Sequence, residues 1–416
     1  MIKIKKQILI VLCSAFGILT AHGQSQELKL SKEFIEQNLS DAVRQIKVLV
    51  KETPIDKFPK TFENSQGIFS SSSWWCSGFY PGTLLYLYEG TQDRELLDRA
   101  EEKFLYLEKE KDNKGTHDLG FMLFCSFGNG LRLTGDSVKY KDILIKGAAS
   151  LASRFNDKTK TIRSWDHRPW NYPVIIDNMM NLELLTQVSK MTGNNTYYDL
   201  ALAHATTTLK NHFRKDYSSY HVVDYDINTG KVLAKKTHQG AFDESAWSRG
   251  QGWALYGYTM MYRETNDKKF LDQARHIAKY ILNHRMLPDD LIPYWDFDKD
   301  KVDLSSKMYP KKDLRDVSAA ALYASALLEL AQYSNGSESA LYLSKAEAIL
   351  VNLSKAPYKA SYGQNGGYIL KHSVGALPLN SEVDVPLTYA DYYYVEALIR
   401  YKRLLEGEPL IKEIAE

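Results

Sequence analysis

Cysteine is scarce in this chain: three among 416 residues, at Cys13, Cys76 and Cys125. So few thiols cannot form a disulfide framework, and the fold must rest on a hydrophobic core. A Cys76–Cys125 bridge and two buried thiols both remain open. Long apolar runs are missing too, except at the N-terminus. There Lys3, Lys5 and Lys6 precede an apolar stretch from Ile8 to Ala21, and Ala21-His22-Gly23 has the small-x-small form of a cleavage site. That run is too short to span a bilayer, so residues 1–23 read as a secretory signal peptide. Cys13 is poorly placed for a lipoprotein box, which points to release in the periplasm rather than lipid anchoring.

A basic excess is also lacking. Taking three leader lysines from 53 basic residues leaves 50, against 51 acidic ones. Nucleic-acid and membrane-surface partners need a positive surplus, so neither is expected. No glycine-rich phosphate loop and no HxxxH-type ligand spacing occurs, so neither a cofactor nor a metal is expected. No Pro/Gly/Ser linker divides the chain, and residues 24–416 read as one domain, a monomer or weak homodimer.

What the sequence does hold is a repeated pair of helices. An apolar, small-residue-rich helix ends in a short turn, and a more charged amphipathic helix follows. The turns lie at 89–93, 134–136, 192–194, 265–267 and 334–336, each a helix stop followed by an N-cap residue. The second helices show Leu96/Ala100/Phe104, Tyr197/Ala201/Ala205, Phe270/Ala274/Ile277 and Leu343/Ala346/Ile349 at helical spacing. The first helices, near 118–133, 177–191, 247–263 and 316–332, are apolar nearly all round. With an opening helix near 31–51 and a final one near 387–404, the count approaches six inner and six outer helices. The expected fold is all-α, an (α/α)6 barrel, with a superhelical array as the alternative. Residues 217–236, with Asn228-Thr229-Gly230, and residues 361–371 are expected to form short β-hairpins on the rim.

Inner helices of such a ring start at one common mouth. Acids at those starts, as at Asp243, Asp316 and Asp391, read first as helix caps. Asp118 and Asp177 differ, because each lies against an apolar run beside His117 or Asn178. A carboxyl in that setting can hold a proton near neutral pH, as general acid work requires. The stretch from His221 to Trp253 gathers His221, His238, Gln239, Arg249, Gln251 and Trp253. Rings that stack on sugar C–H faces and forked donors that fix hydroxyls suit a saccharide.

The pieces SSSWWCSGFYPG (71–82), THDLGF (116–121), IIDNMMNLELL (175–185), SSYHVVDYDINTGKV (218–232), THQGAFDESAWSRGQGWALYGY (237–258), DVSAAAL (316–322) and VPLTYADYYYVEAL (385–398) occur in that order. In them the chain resembles the unsaturated glucuronyl hydrolases of glycoside hydrolase family 88. The resemblance implies the (α/α)6 barrel and unsaturated uronyl oligosaccharides, the products of polysaccharide lyases, as partners. It implies hydration of the vinyl ether, with Asp177 giving a proton to C4 and assisting the water that adds at C5. It makes Asp118 the second essential aspartate. His117, His221, Gln239, Arg249 and Trp253 would line the unsaturated-sugar site, Lys235, Thr237 and Ser373 would touch the next sugar, and Trp74 would contact the substrate. Lys235 stands where a small residue is expected, which puts a preference for sulfated substrates in doubt. Arg249, one turn before Trp253, would fork onto the sugar, or else pair with Asp243 or Glu244. An unsaturated rhamnogalacturonyl hydrolase, an ordinary inverting glycosidase and a silent sugar-binding barrel are the competing readings.

Overall fold

The structure is a computed structural model describing residues 28–167, 169–412 and 414. The expected signal peptide, residues 1–23, lies outside the described residues. Helix α1 (Lys32–Glu52) is followed by α2 (Phe79–Thr91) and α3 (Arg94–Leu107). A π-helical stretch, Gly120–Gly128, runs into α4 (Asn129–Thr134), and α5 (Ser137–Ala152) returns. A 3-10 turn, Ile176–Asn181, leads into α6 (Leu182–Thr192), then α7 (Asn195–Asn211). The pairs α8 (Ser248–Thr265)/α9 (Lys268–Asn283) and α10 (Val317–Gln332)/α11 (Gly336–Leu353) follow, and α12 (Thr388–Leu405) ends the series.

The inner ring runs α2, α4 with its π-helical lead, α6, α8, α10, α12, and α12 packs back on α2. The outer helix α1 packs on α12 and α2, so the first and last helices close an (α/α)6 barrel. Burial follows position. Helix α10 is buried at every residue from Val317 to Ala331. The outer helix α9 buries one stripe, including Phe270, Ala274, Ile277 and Ile281. Four of the five expected turns share one chemistry; at the fifth, Tyr333 ends α10 outside the left-handed region and Asn335 makes no side-chain cap to α11. Gln92, Gly135, Gly193 and Asn266 take the left-handed conformation that ends an inner helix. Asp93, Asp136, Asn194 and Asp267 then cap the outer helix by accepting from first-turn N–H groups.

Among the described residues, nine short strands decorate the barrel: β1 (Phe58–Glu63), β2 (Gln66–Ser70), β3 (Phe155–Asn156), β4 (Thr161–Ile162), β5 (Pro173–Ile175), β6 (Val222–Tyr225), β7 (Val232–Lys236), β8 (Ser373–Ala376) and β9 (Ser381–Val385). The hairpin expected around Asn228-Thr229-Gly230 is β6–β7, and β5 pairs on its other edge. Gly230 has φ +70, and a Cβ there would sit 2.1 Å from the Lys158 carbonyl oxygen. The second expected hairpin is displaced. Residues 361–371 hold a 3-10 turn and one isolated bridge, and β8–β9 begins just after them. Repeated left-handed residues there (Asn365, Gly366, Gly367) coil the chain instead of extending it. Cys76 and Cys125 are free thiols. Among the described residues no helix is long and apolar enough to cross a membrane.

Candidate active site

The starts of the inner helices converge on one cavity of about 370 Å³. Trp74 and Trp75 enter it ahead of α2, His117 and Asp118 ahead of the π-helical stretch, and Asp177 from the turn before α6. His221 comes from just before β6, His238 and Gln239 from the loop after β7, Arg249 from α8 and Tyr389 from α12. The β8–β9 hairpin forms a lip through Gly375, Ala376, Leu379, Ser381 and Glu382. Trp165 and His167 close the remaining wall. The size and aromatic lining suit one or two sugar units.

Asp118 is held by neighbours. The Thr116 hydroxyl donates to its Oδ2 at 2.6 Å, and His117 Nε2 lies 3.3 Å from its Oδ1. The tautomer of His117 follows from its surroundings. Ser164 Oγ accepts from the Ile175 N–H, which leaves the hydroxyl proton for His117 Nδ1, 3.4 Å away. The Nε2 proton of His117 therefore faces Asp118. Burial lowers the pKa of His117, so it is a neutral donor.

Asp177 is placed differently. It is the second residue of the 3-10 turn and is 7% exposed. Its Oδ2 accepts no hydrogen bond and faces His221 Nε2 at 3.7 Å. The backbone N–H groups of His238 and Gln239 both donate to His221 Nδ1 at 3.1 Å, so the ring proton sits on Nε2 and points at Asp177. Burial holds the His221 pKa well below its usual range, which keeps the ring neutral. Burial also raises Asp177 from 3.8 to about 7; Arg249 opposes the rise and Asp118 adds to it. One carboxyl is thus fixed by donors, while the other, desolvated, holds a proton near neutral pH. That division is what acid–base work on a sugar needs.

Seven of the expected residues meet here: Asp177, Asp118, His117, His221, Gln239, Arg249 and Trp74. Four do not line the cavity. Trp253 is 0% exposed and packs on Phe121 and Tyr393 at ring distances of 5.1 and 5.6 Å. It shares a helix face with Arg249 but sits one turn, about 6 Å, deeper along α8. Lys235, on β7, lays its ammonium 5.0 Å above the Tyr220 ring. Thr237 turns inward to accept from the Gly240 N–H at 2.8 Å. Ser373 is fully buried in β8 opposite Val385.

Arg249 also differs from expectation. Its pairing partner is the α10 cap Asp316, at 2.9 Å, and not Asp243 or Glu244. It donates to the Val374 and Gly375 carbonyls as well, each at 2.6 Å, and its guanidinium lies 4.5 Å from the Trp247 ring. Asp243 caps no helix, because α8 starts at Ser248; it takes the Thr237 N–H and the Lys236 ammonium instead. Asp391 takes the Ile369 and Leu370 N–H groups. Sequence reasoning missed Trp165, His167 and Glu382. They sit in irregular connections that carry no periodic signal. Their nearest signal was the density of rings in 165–172 and the acid two residues after Asn380.

The sequence profile of Glycosyl Hydrolase Family 88 matches residues 48–405. The chain belongs to that family. It is 40% identical to an unsaturated glucuronyl hydrolase of Formosa agariphila, over 96% of this chain and 99% of that one. It is 31% identical to an unsaturated chondroitin disaccharide hydrolase of Streptococcus pneumoniae, over 89% of this chain and 93% of that one. Among solved structures, an unsaturated glucuronyl hydrolase specific for heparin matches with TM-score 0.85 and 46% identity, covering 91% of this chain and all (100%) of the other. An aspartate-to-asparagine mutant of the Streptococcus agalactiae enzyme, complexed with dGlcA-GalNAc6S, matches with TM-score 0.76 and 28% identity, covering 90% and 93%. This family 88 chain is a glycoside hydrolase, and the barrel expected from its helix pairs is the fold its relatives share.

Proposed function

We propose that this family 88 enzyme removes the 4,5-unsaturated uronic acid from the non-reducing end of oligosaccharides by hydrating its double bond. The observation that carries the reading is Asp177, a buried carboxyl at about pKa 7 facing a neutral His221. Protonated Asp177 gives its proton to C4 of the enol ether, and positive charge develops at C5 and the ring oxygen. Water adds at C5, and Asp177 takes back the proton that water releases. The resulting hemiketal opens to a ketone at C5. The hemiacetal left at C1 then collapses and releases the next sugar with its glycosidic oxygen. Asp118, fixed by Thr116 and His117, lines the same cavity, where it can hold the sugar ring in register with Asp177.

A panel of lyase-generated disaccharides, each paired with its saturated counterpart, tests the reading. Cleavage of the unsaturated members alone is expected. Comparable cleavage of a saturated glucuronide would establish an ordinary glycosidase, which protonates the leaving oxygen instead.

A further inference from the structure

We propose that Glu382 is a charge filter. Beside Trp74, and partly offset by Lys60, it selects a second sugar that is neutral or bears a free amine toward β9, against one sulfated there. The proposal rests on the reading of this cavity as the site for unsaturated uronyl oligosaccharides.

A substrate with a uronate carboxylate is anionic, so a third carboxyl in its cavity needs a reason. Glu382 supplies that carboxyl, from the lip formed by β8–β9. No structural duty consumes it. No donor among the described residues lies within hydrogen-bonding distance of its oxygens, and it caps no helix. Its backbone is left-handed, with φ 54, a conformation that a residue with a side chain holds only against a cost. The side chain is pressed over Gly375, where a Cβ would lie 2.7 Å from the Glu382 Cβ and 2.9 Å from its Oε2.

The charges that face Glu382 place it toward the rim. Burial raises the pKa of Glu382; Lys60 and Arg249 oppose the rise by attracting the carboxylate, and Glu63 adds to it. Arg249 is already engaged by Asp316 and two β8 carbonyls. Lys60, 4.2 Å above the Trp74 ring, is the cation left to balance it. Asp177, by contrast, feels Arg249 and Asp118. The reacting uronate therefore belongs beside the two aspartates. The sugar that follows it meets a Trp74 face flanked by one carboxylate and one ammonium. A hydroxyl or ammonium on that sugar can donate to Glu382. A sulfate in the same place meets a like charge in a partly desolvated wall.

The test compares kcat/KM on unsaturated disaccharides that are unsulfated or sulfated on the second sugar, for the wild-type chain, Glu382→Gln and Lys60→Met. Glu382→Gln is expected to raise the sulfated-to-unsulfated ratio about tenfold for at least one sulfate position, and Lys60→Met to lower it. Both shifts should shrink as salt is raised. A merely structural role would change both substrates together and leave the ratio still. Ratios within about twofold of wild type in both variants, with the unsulfated substrate still cleaved, would overturn the filter. A wild-type chain that cleaves no unsaturated disaccharide would instead overturn the proposed function.

Discussion

A buried carboxyl that must ionise during turnover works against the fold, and Asp177 is such a group. Its folded value of about 7 lies above its ordinary 3.8. Between those values the folded chain binds more protons than the unfolded one, so this group's contribution to stability declines as pH rises through that window. Asp177→Asn removes both the moving proton and the buried charge. The expected outcome is a loss of at least ~100-fold in kcat. The melting temperature near pH 8 should stay at or above that of wild type. Disaccharide turnover and thermal melts measure the two effects; retained turnover would take the acid role from Asp177. At this scale the aspartates were legible because each stands in an apolar run beside a hydrogen-bonding partner. Trp253 was misplaced because helical spacing gives the face a side chain shares, not its depth along the axis. Trp165 and His167 were invisible because their loop has no period.

Arg249 belongs to the scale of elements. It ties the first turn of α8 to the α10 cap Asp316 and to the carbonyls of Val374 and Gly375 in β8. A lysine has one ammonium where three acceptors need a planar fork. Arg249→Lys is therefore expected to lower stability by about 2–3 kcal/mol, through a buried acid left poorly paired. It should lower kcat/KM as well, because β8 carries the cavity lip. Melting and kinetics on the same preparation separate the alternatives: a tenfold kinetic loss without a melting shift would make Arg249 a direct substrate contact. Helix pairs and their caps were readable because caps and stops are local chemistry. Asp243 was read as the cap of α8, although the helix itself was placed near 247–263, since an acid before an apolar run resembles a cap. Here Asp243 instead secures the end of β7. The β8–β9 lip was read too early in the chain, because glycine-rich sequence fits a coil as well as a hairpin.

Across the whole molecule, charges are buried at a second place inside the ring. Arg263 of α8 contacts Glu183, Glu264 and Glu329, and Arg400 of α12 contacts Glu329 and Glu396. These contacts join four inner helices across the barrel. Burial raises Glu183 to about 7, with Arg263 opposing the rise. Arg263→Met leaves those acids without their shared cation. A loss of about 3–5 kcal/mol is expected near pH 8. The loss should be smaller near pH 5, where the acids can take up protons. An equal loss at both values would show that packing rather than charge holds this region. The closed ring itself was legible from the sequence, because twelve helices of alternating character have few ways to bury their apolar faces. This network was not, since its members lie far apart in the chain and none stands out alone.

The order of events in a single reaction tests the hydration chemistry most directly. The ultraviolet absorbance of the conjugated double bond and the appearance of the released sugar can be followed together on one unsaturated disaccharide. Hydration at C5 must precede collapse at C1, so absorbance is expected to fall before the sugar appears or in step with it. Sugar appearing first, with absorbance persisting in the released uronate, would contradict the account.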